Sequence, residues 1–146
     1  MNIVHRAAGA LLVLGCLSIA PAVADTPDFV NYQGVLRDAS GVPRNGSFDM
    51  TFRFFDAPVG PSEILVDAHL AGGTGAVPVY DGLFEVWLGS GVVSDGAGVV
   101  PGDPYTNLKE MFQSFSVVWL EIVIDGQVLS PRVLLNAVPY AMHAET

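Results

Sequence analysis

Cysteine is almost absent from this sequence, and its scarcity removes two structural options. The single cysteine among the 146 residues is Cys16, which lies in an apolar N-terminal segment. Beyond that segment no disulfide framework can form, and no cysteine side chain can bind zinc. We therefore expect the fold to be stabilised by packing and hydrogen bonds alone.

Positive charge is also scarce, and this restricts the partners. Six Lys and Arg residues are opposed by fifteen Asp and Glu residues, which gives a formal net charge of −9. A chain this acidic repels the phosphates of nucleic acids and the surfaces of anionic membranes. The composition therefore predicts no nucleic-acid partner.

Residues 1–24 have the features of a signal peptide. Arg6 supplies an early positive charge, residues 7–20 are apolar, and small side chains at 22–24 precede a cleavage site at Asp25. The apolar run is too short, and too interrupted by Gly and Pro, to predict a membrane span. We expect the mature chain to be secreted, periplasmic or held at the cell surface.

An alternative for the same segment is lipidation of Cys16. The residues Val13-Leu14-Gly15-Cys16 loosely match a lipoprotein processing site. A lipoprotein usually turns polar after the modified cysteine, whereas this sequence stays apolar up to Ala24. We therefore predict ordinary cleavage after Ala24 in preference to lipidation.

Residues 115–124 predict a central β-strand. Most of their side chains are β-branched or aromatic, and Glu121 is the one charge among them. Alternate residues fall on opposite faces of a strand, and both faces here are largely apolar, which indicates cover on each side. Asp125-Gly126 and, earlier, Asp81-Gly82 each predict a tight turn, because such turns need positive φ at both central residues.

The other segments with the composition of strands lie at 29–37, 47–56, 63–70, 77–80, 83–88 and 127–141. In total, about seven or eight short strands at this spacing predict an all-β fold, a two-sheet antiparallel β-sandwich. One short helix is predicted at 106–113, with Thr106 as its cap. We expect a single domain over 29–141, with a polar lead-in at 25–28 and a tail at 142–146.

Glycine and proline add positional detail to this fold. Gly34, inside the first strand, predicts a bulge or a close approach of two chain segments. Pro78 and Pro131 each remove a backbone donor, so residues 77–80 and 129–135 are predicted to be edge strands. Unpaired strand edges recruit other strands, which makes these two the predicted docking surfaces.

No constellation of residues predicts an enzyme. A catalytic triad needs a nucleophile on a sharp turn beside an oriented base, but the sequence contains no Gly-x-Ser-x-Gly motif. His69 shares a strand face with Asp67, which indicates an edge strand and a surface histidine, and His143 lies in the predicted tail. We predict no catalytic, cofactor-binding or metal-ligating residue.

Calcium binding is one alternative that particular residues raise. Asp95 and Asp103 lie in the irregular stretch 89–104, where carboxylates and backbone carbonyls supply the oxygen ligands that calcium prefers. No EF-hand spacing accompanies them, so a solvated acidic loop is the preferred interpretation.

A glycan platform is the other alternative. It would combine the polar side chains of Asn31 and Gln33 and the ring of Tyr32 with Trp87 and Trp119. Aromatic residues within strands more often fill the space between two sheets, and we prefer that interpretation for Tyr32 and both tryptophans.

The last strand contains a residue that we predict to be structural. Arg132 follows Ser130 and Pro131, and an arginine in such a place more often pairs with an acid or with backbone carbonyls than with a ligand. We expect it to tie the last strand to the sandwich, with Asn31 or Gln33 as neighbours. Downstream, Pro139 and Tyr140 are expected to pack back on the sheet, because an apolar ring is costly to leave in water.

Four patches of the sequence occur in a characteristic order and spacing. They are Asn31-Tyr32-Gln33-Gly34 with Leu36; Asp81-Gly82-Leu83-Phe84 with Val86, Leu88 and Gly89; Trp119-Leu120-Glu121-Ile122; and Leu129-Ser130-Pro131-Arg132 with Leu134, Val138, Pro139, Tyr140 and Ala141. Taken together, they resemble a β domain found near the amino terminus of secreted bacterial surface proteins. Val35 stands where the resembled proteins usually have a basic residue.

The resemblance implies a module without established enzyme activity. Long members of that group continue into a stalk or tail-fibre-like region, sometimes ending in a self-cleaving chaperone domain, so we expect this chain to be the head module alone. We predict an exported, non-catalytic structural or interaction module for cell-surface or extracellular assembly, with another envelope protein or a second copy as partner. The residues predicted to support it are Asn31, Tyr32, Gln33, Gly34, Trp119, Ser130, Pro131, Arg132, Pro139 and Tyr140.

Overall fold

The computed structural model describes residues 28–136, which form nine strands and one helix. The elements are β1 (Val30–Val35), β2 (Gly46–Phe48), β3 (Met50–Phe55), β4 (Glu63–His69), β5 (Val77–Val79), β6 (Leu83–Leu88), β7 (Val92–Asp95), α1 (Leu108–Ser114), β8 (Val117–Ile124) and β9 (Gln127–Asn136). The predictions for the signal peptide, Cys16, Pro139, Tyr140, His143 and the tail lie outside the described residues.

The strands of the described region pair antiparallel in three sheets. One has five strands in the order β7-β4-β3-β8-β9, and two have two strands each, β1-β6 and β2-β5. The predicted all-β, antiparallel, sandwich-like fold is confirmed. Nine strands form because Asp49 separates β2 from β3 and because β7 lies in the stretch that was expected to be irregular.

The core lies between the five-stranded sheet and the smaller sheets. Register places Phe52 of β3 opposite Ile122 of β8, and both side chains point to the inner face of the five-stranded sheet. The Phe52 ring meets the ring of Tyr32 from β1 edge-on, with 6.3 Å between centroids, which joins the layers. Each large apolar side chain buried here contributes about 1.5–3 kcal/mol.

The central position of β8 is confirmed, but its two faces are covered unequally. It pairs with β3 on one side and β9 on the other. Val118 and Leu120 are buried on the inner face, whereas Trp119 and Glu121 are half-buried on the outer face and Val117 is exposed. The prediction of cover on both faces is therefore right for the inner face only.

Both Asp-Gly pairs form the predicted tight turns. Asp81 and Gly82 have φ of 52° and 81°, and Asp125 and Gly126 have φ of 48° and 80°. Positive φ at both central residues is what the two-residue hairpin turn requires. These turns connect β5 to β6 and β8 to β9.

Gly34 allows a close approach, without a bulge. The β1–β6 register runs unbroken, with Gly34 directly opposite Phe84. The Phe84 ring occupies the space that a Cβ on Gly34 would fill. A side chain at position 34 would displace a buried aromatic ring from the core.

Gly34→Ala is therefore expected to lower the free energy of unfolding by about 1–3 kcal/mol, the usual cost of overpacking a core. Urea unfolding followed by tryptophan fluorescence measures this change. Gly72→Ala is the matched control, because a Cβ there meets nothing within 4 Å, and it should change stability by less than about 0.5 kcal/mol. Equal midpoints for the two variants would contradict the contact.

The helix begins two residues later than predicted, and its cap is Asn107 rather than Thr106. The Asn107 side chain accepts a hydrogen bond from the Glu110 N–H, while the Thr106 N–H and hydroxyl donate to the Glu110 carboxylate. The two bonds that Thr106 donates to the carboxylate lower the pKa of Glu110. Leu108 and Met111 anchor the helix in the core.

No helix within residues 28–136 is long and apolar enough to cross a bilayer.

Candidate functional site

Strand β9 forms an exposed apolar edge. It lies at the end of the five-stranded sheet, as predicted for residues 129–135, with β8 as its one partner among the described strands. Four of its side chains are between 38% and 48% exposed: Val128, Leu129, Val133 and Leu134. The other predicted docking segment, 77–80, contains β5, which also has a single described partner. Its Val77 and Val79 are buried, and only Tyr80, just after the strand, is a large exposed side chain at 86%. The run of exposed aliphatic side chains therefore lies on β9.

A bulge divides this edge into two arms. Leu120 pairs with Val133 and Ile122 pairs with Leu129, so residues 130–132 of β9 together face Glu121 alone. Pro131 lies in this bulge and has no backbone N–H to offer a neighbouring strand. The first arm is residues 127–129, and the second arm is residues 133–136.

The bulge directs Arg132 across the outer face of the sheet. Its Nε donates to Glu121 Oε2 (3.3 Å), Nη1 to the Ala57 carbonyl (3.0 Å) and Nη2 to the Gly60 carbonyl (2.8 Å). The guanidinium carbon lies 3.3 Å from the centroid of the Phe55 ring. These contacts match the predicted structural role, and they turn the one charge of β9 away from the strand edge.

The neighbours of Arg132 differ from those expected. Asn31 donates instead to Glu85 on β6, in another sheet. Gln33 lies opposite Glu85 in the same pair of strands. Arg132 lies on the outer face of the five-stranded sheet, so it is separated from the side chains of Asn31 and Gln33.

Arg132 is the end of a chain of alternating charges that was not predicted from the sequence. Glu121 Oε1 accepts from Arg53 Nη1 at 2.8 Å, and Arg53 Nε also donates to Glu63. The second oxygen of Glu63 accepts the Ala97 N–H at 2.8 Å. Arg53 and Glu121 are direct cross-strand partners, so the strand register is the signal that would have revealed the network.

The His69–Asp67 pair is structural and buried. His69 is 6% exposed, its Nε2 lies 2.9 Å from Asp67 Oδ2, and its ring meets Phe52 edge-on. Asp67 is 0% exposed and accepts the N–H groups of Gly89 (2.6 Å) and Gly91 (2.9 Å). The expectation of a surface histidine on an edge strand is wrong, because β4 lies between β7 and β3 in the sheet and the His69 ring packs against Phe52 on its inner face.

The two acids proposed as calcium ligands bind backbone amides of their own loop. Asp95 Oδ1 accepts the Tyr105 N–H at 2.8 Å, and Asp103 Oδ2 accepts the Val100 N–H at 2.7 Å. Within the described region, no group of three or more His, Cys, Asp or Glu side chains is placed to hold a metal ion. These carboxylates shape the loop between β7 and α1.

The residues of the glycan alternative are divided between two surfaces. Tyr32 points into the core, where burial raises its pKa. Asn31 and Trp87 are cross-strand partners on the solvent face of β1–β6, and Trp87 is 54% exposed. Trp119 lies on the outer face of the five-stranded sheet. The interpretation that both tryptophans fill the space between sheets is wrong, whereas it is right for Tyr32.

A groove of about 430 Å³ adjoins the first arm of β9. It opens between the loop after β1 and the β8–β9 hairpin. Phe48, Ile124 and Leu129 are among its apolar lining residues, and charged side chains of both signs also line it: Arg37, Asp38, Arg44 and Asp125. An apolar side chain entering this groove would contact Phe48, Ile124 and Leu129.

The fold and these contacts define an all-β sandwich-like domain in which buried acids bind the protein's own backbone and β9, the last described strand, presents an apolar edge. The profile of a family described as a domain of unknown function (DUF8740) matches residues 31–132, more than half of the chain, and the chain belongs to this family. The match runs from β1 to Arg132. No curated protein and no solved structure matches the chain.

Proposed function

We propose that this chain is an exported, non-catalytic interaction module that binds another protein of the cell surface or extracellular space along β9. The observation that carries the proposal is the exposed apolar edge of β9. Export rests on the signal-like composition of residues 1–24. The resemblance to amino-terminal domains of secreted surface proteins agrees with this role.

The protection of this edge against strand addition is confined to its middle, where Pro131 and the bulge lie. Natural edge strands are commonly guarded by charged side chains, prolines or bulges. The one charge of β9, Arg132, is held over Phe55 by Glu121 and two backbone carbonyls. Pro131 guards only the middle of the strand. Both arms can therefore pair with an extended segment of a partner, whose alternate side chains would cover the exposed Val and Leu residues.

The partner that fits this edge is a different chain rather than a second copy. After cleavage at Ala24, which removes Arg6, two copies would each bring five Lys and Arg residues against fifteen Asp and Glu, a net charge of −10, and the repulsion between closely apposed surfaces is only partly screened by salt. A symmetric pairing of two full β9 strands would also bring the two Pro131 bulges together at its centre. A heterologous segment avoids both costs, and it can place an apolar side chain in the groove beside Leu129.

Site-specific photo-cross-linking in the producing cell tests this proposal. A photoreactive amino acid replaces Val128 in the first arm or Leu134 in the second arm. Val99 is the control, because it is 97% exposed and lies in the loop between β7 and α1. We expect the same foreign protein to be cross-linked from both β9 positions and not from Val99.

The outcomes separate the possible occupants. A product with the mass of two copies of this chain would replace the heterologous partner with a homodimer. No product from either arm would overturn the docking role of β9. Cell fractionation in the same experiment tests export, since a product confined to the cytoplasm would contradict it.

A further inference from the structure

The solvent face of β1–β6 carries a mixed polar and aromatic surface that β9 docking does not use. Three cross-strand pairs form it: Asn31 with Trp87, Gln33 with Glu85, and Val35 with Leu83. We call these six residues the β1–β6 platform. Its polar pair lies in the middle, with an indole ring at one end and an aliphatic pair at the other.

The platform is held in place from behind. The alternate residues of the same strands point inward, where Phe84, Val86 and Leu88 are buried and Tyr32 packs against the core. Because both strands are anchored in this way, the outward side chains have fixed spacing before any ligand binds. Leu83 and Trp87 are four residues apart on one strand, which separates them by roughly 13 Å. That span accommodates a short chain of sugar rings better than a single ring.

Hydrogen-bonding groups are concentrated beside the indole ring. Asn31 Nδ2 donates to Glu85 Oε1 at 2.5 Å, which orients both side chains. Within residues 28–136, the Gln33 amide makes no side-chain hydrogen bond, and Oε2 of Glu85 accepts none. An amide offers both donors and acceptors, and a carboxylate accepts from hydroxyl groups. These are the groups that a polyhydroxylated ligand can satisfy.

We propose that the β1–β6 platform binds a neutral oligosaccharide. A sugar ring has an apolar C–H face that packs on the exposed face of Trp87, and its hydroxyl groups meet Asn31, Gln33 and Glu85. An anionic sugar is disfavoured because Glu85 is the only charge on the platform and no cation accompanies it. A flat protein surface is also disfavoured, since it would cover the Glu85 carboxylate without the many hydroxyl donors that a sugar supplies.

This site is independent of the proposed function. The platform lies on β1 and β6, whereas the docking edge lies on β9 in another sheet. Loss of sugar binding therefore leaves cross-linking from Val128 and Leu134 intact, and failure of cross-linking leaves sugar binding intact.

Titration calorimetry with three neutral trisaccharides tests the platform. The probes are cellotriose, maltotriose and triacetylchitotriose, and trigalacturonic acid is the anionic control. We expect at least one neutral probe to bind with a Kd of about 1 mM or tighter, and Trp87→Ala to weaken it at least tenfold, about 1.4 kcal/mol. Trp119→Phe is the comparison variant, because Trp119 lies on the five-stranded sheet, away from the platform. This variant should bind the sugar as tightly as the unmodified chain does.

Each other outcome overturns the proposal. Absence of binding by all three neutral probes at about 10 mM excludes a useful affinity. Binding that survives in Trp87→Ala places the sugar elsewhere, and preferential binding of trigalacturonic acid contradicts the assigned chemistry. Urea unfolding of Trp87→Ala shows that the variant is folded, and its exposed position predicts nearly unchanged stability. As a second variant, Gln33→Ala should weaken binding without touching the indole ring.

Discussion

Asp67→Ala is expected to lower the free energy of unfolding by about 3–5 kcal/mol, because it removes one partner from a fully buried polar cluster. The carboxylate accepts the N–H groups of Gly89 and Gly91 and contacts His69. Its loss leaves these donors buried without partners, and each such group costs about 1–3 kcal/mol. Urea unfolding measures the total change.

Amide hydrogen exchange locates the effect of Asp67. The Gly89 and Gly91 amides should lose protection in Asp67→Ala, because the segment after β6 is no longer tied to β4. Asp67→Asn should retain part of the stability, since one amide oxygen still accepts while the NH₂ group faces a donor. Glu85→Ala removes an exposed carboxylate and is the control. A cost for Asp67→Ala no larger than that control would show that the buried bonds contribute little.

Arg132→Ala is expected to cost about 2–4 kcal/mol. The substitution removes charge-assisted bonds to Glu121 and to two carbonyls, each of which contributes about 1.5–3 kcal/mol before the cost of desolvating the guanidinium is subtracted. It also removes the stacking on Phe55. Denaturant unfolding again measures the difference from the unmodified chain.

Two further variants serve as controls for the stability change of Arg132→Ala. Arg132→Lys keeps the charge but cannot reach Glu121, Ala57 and Gly60 together, so it should recover less than half of the loss. Arg37→Ala removes an exposed arginine with one bond to the Gly41 carbonyl, and it should cost less than about 1 kcal/mol. If Lys restored full stability, the charge rather than the planar fork would explain the role of Arg132.

Features governed by neighbouring residues were predictable from the sequence. Both Asp-Gly turns form as expected because positive φ is a property of those two residues and of the hairpin they close. The inner face of β8 was equally readable, since alternation along one strand sorts Val118 and Leu120 to the same side. Even the helix was misplaced by only two residues, as Thr106 and Asn107 are both cap formers.

Features governed by register were not predictable. The imperfect alternation of its own strand predicts a surface position for His69. The structure buries it next to Asp67, and the Gly89 and Gly91 amides offset the cost of burying that carboxylate by donating hydrogen bonds to it. Trp87 was assigned to the space between sheets, but the pairing of β6 with β1 turns it to solvent. Each error concerns a partner far away in the chain.

The sequence alone determines the strand-forming composition, the excess of acidic residues and the tight turns. Together these features specify an antiparallel β domain poor in positive charge. The chain of alternating charges that ends at Arg132 depends on which strands pair and in what register. The same is true of the hydrogen bonds to the Asp67 carboxylate of β4 and of the side chains on the solvent face of β1–β6. A shift of one residue would reverse every side chain of a strand. That alignment is set by packing between distant segments, so these sites exist only once the sheets have assembled.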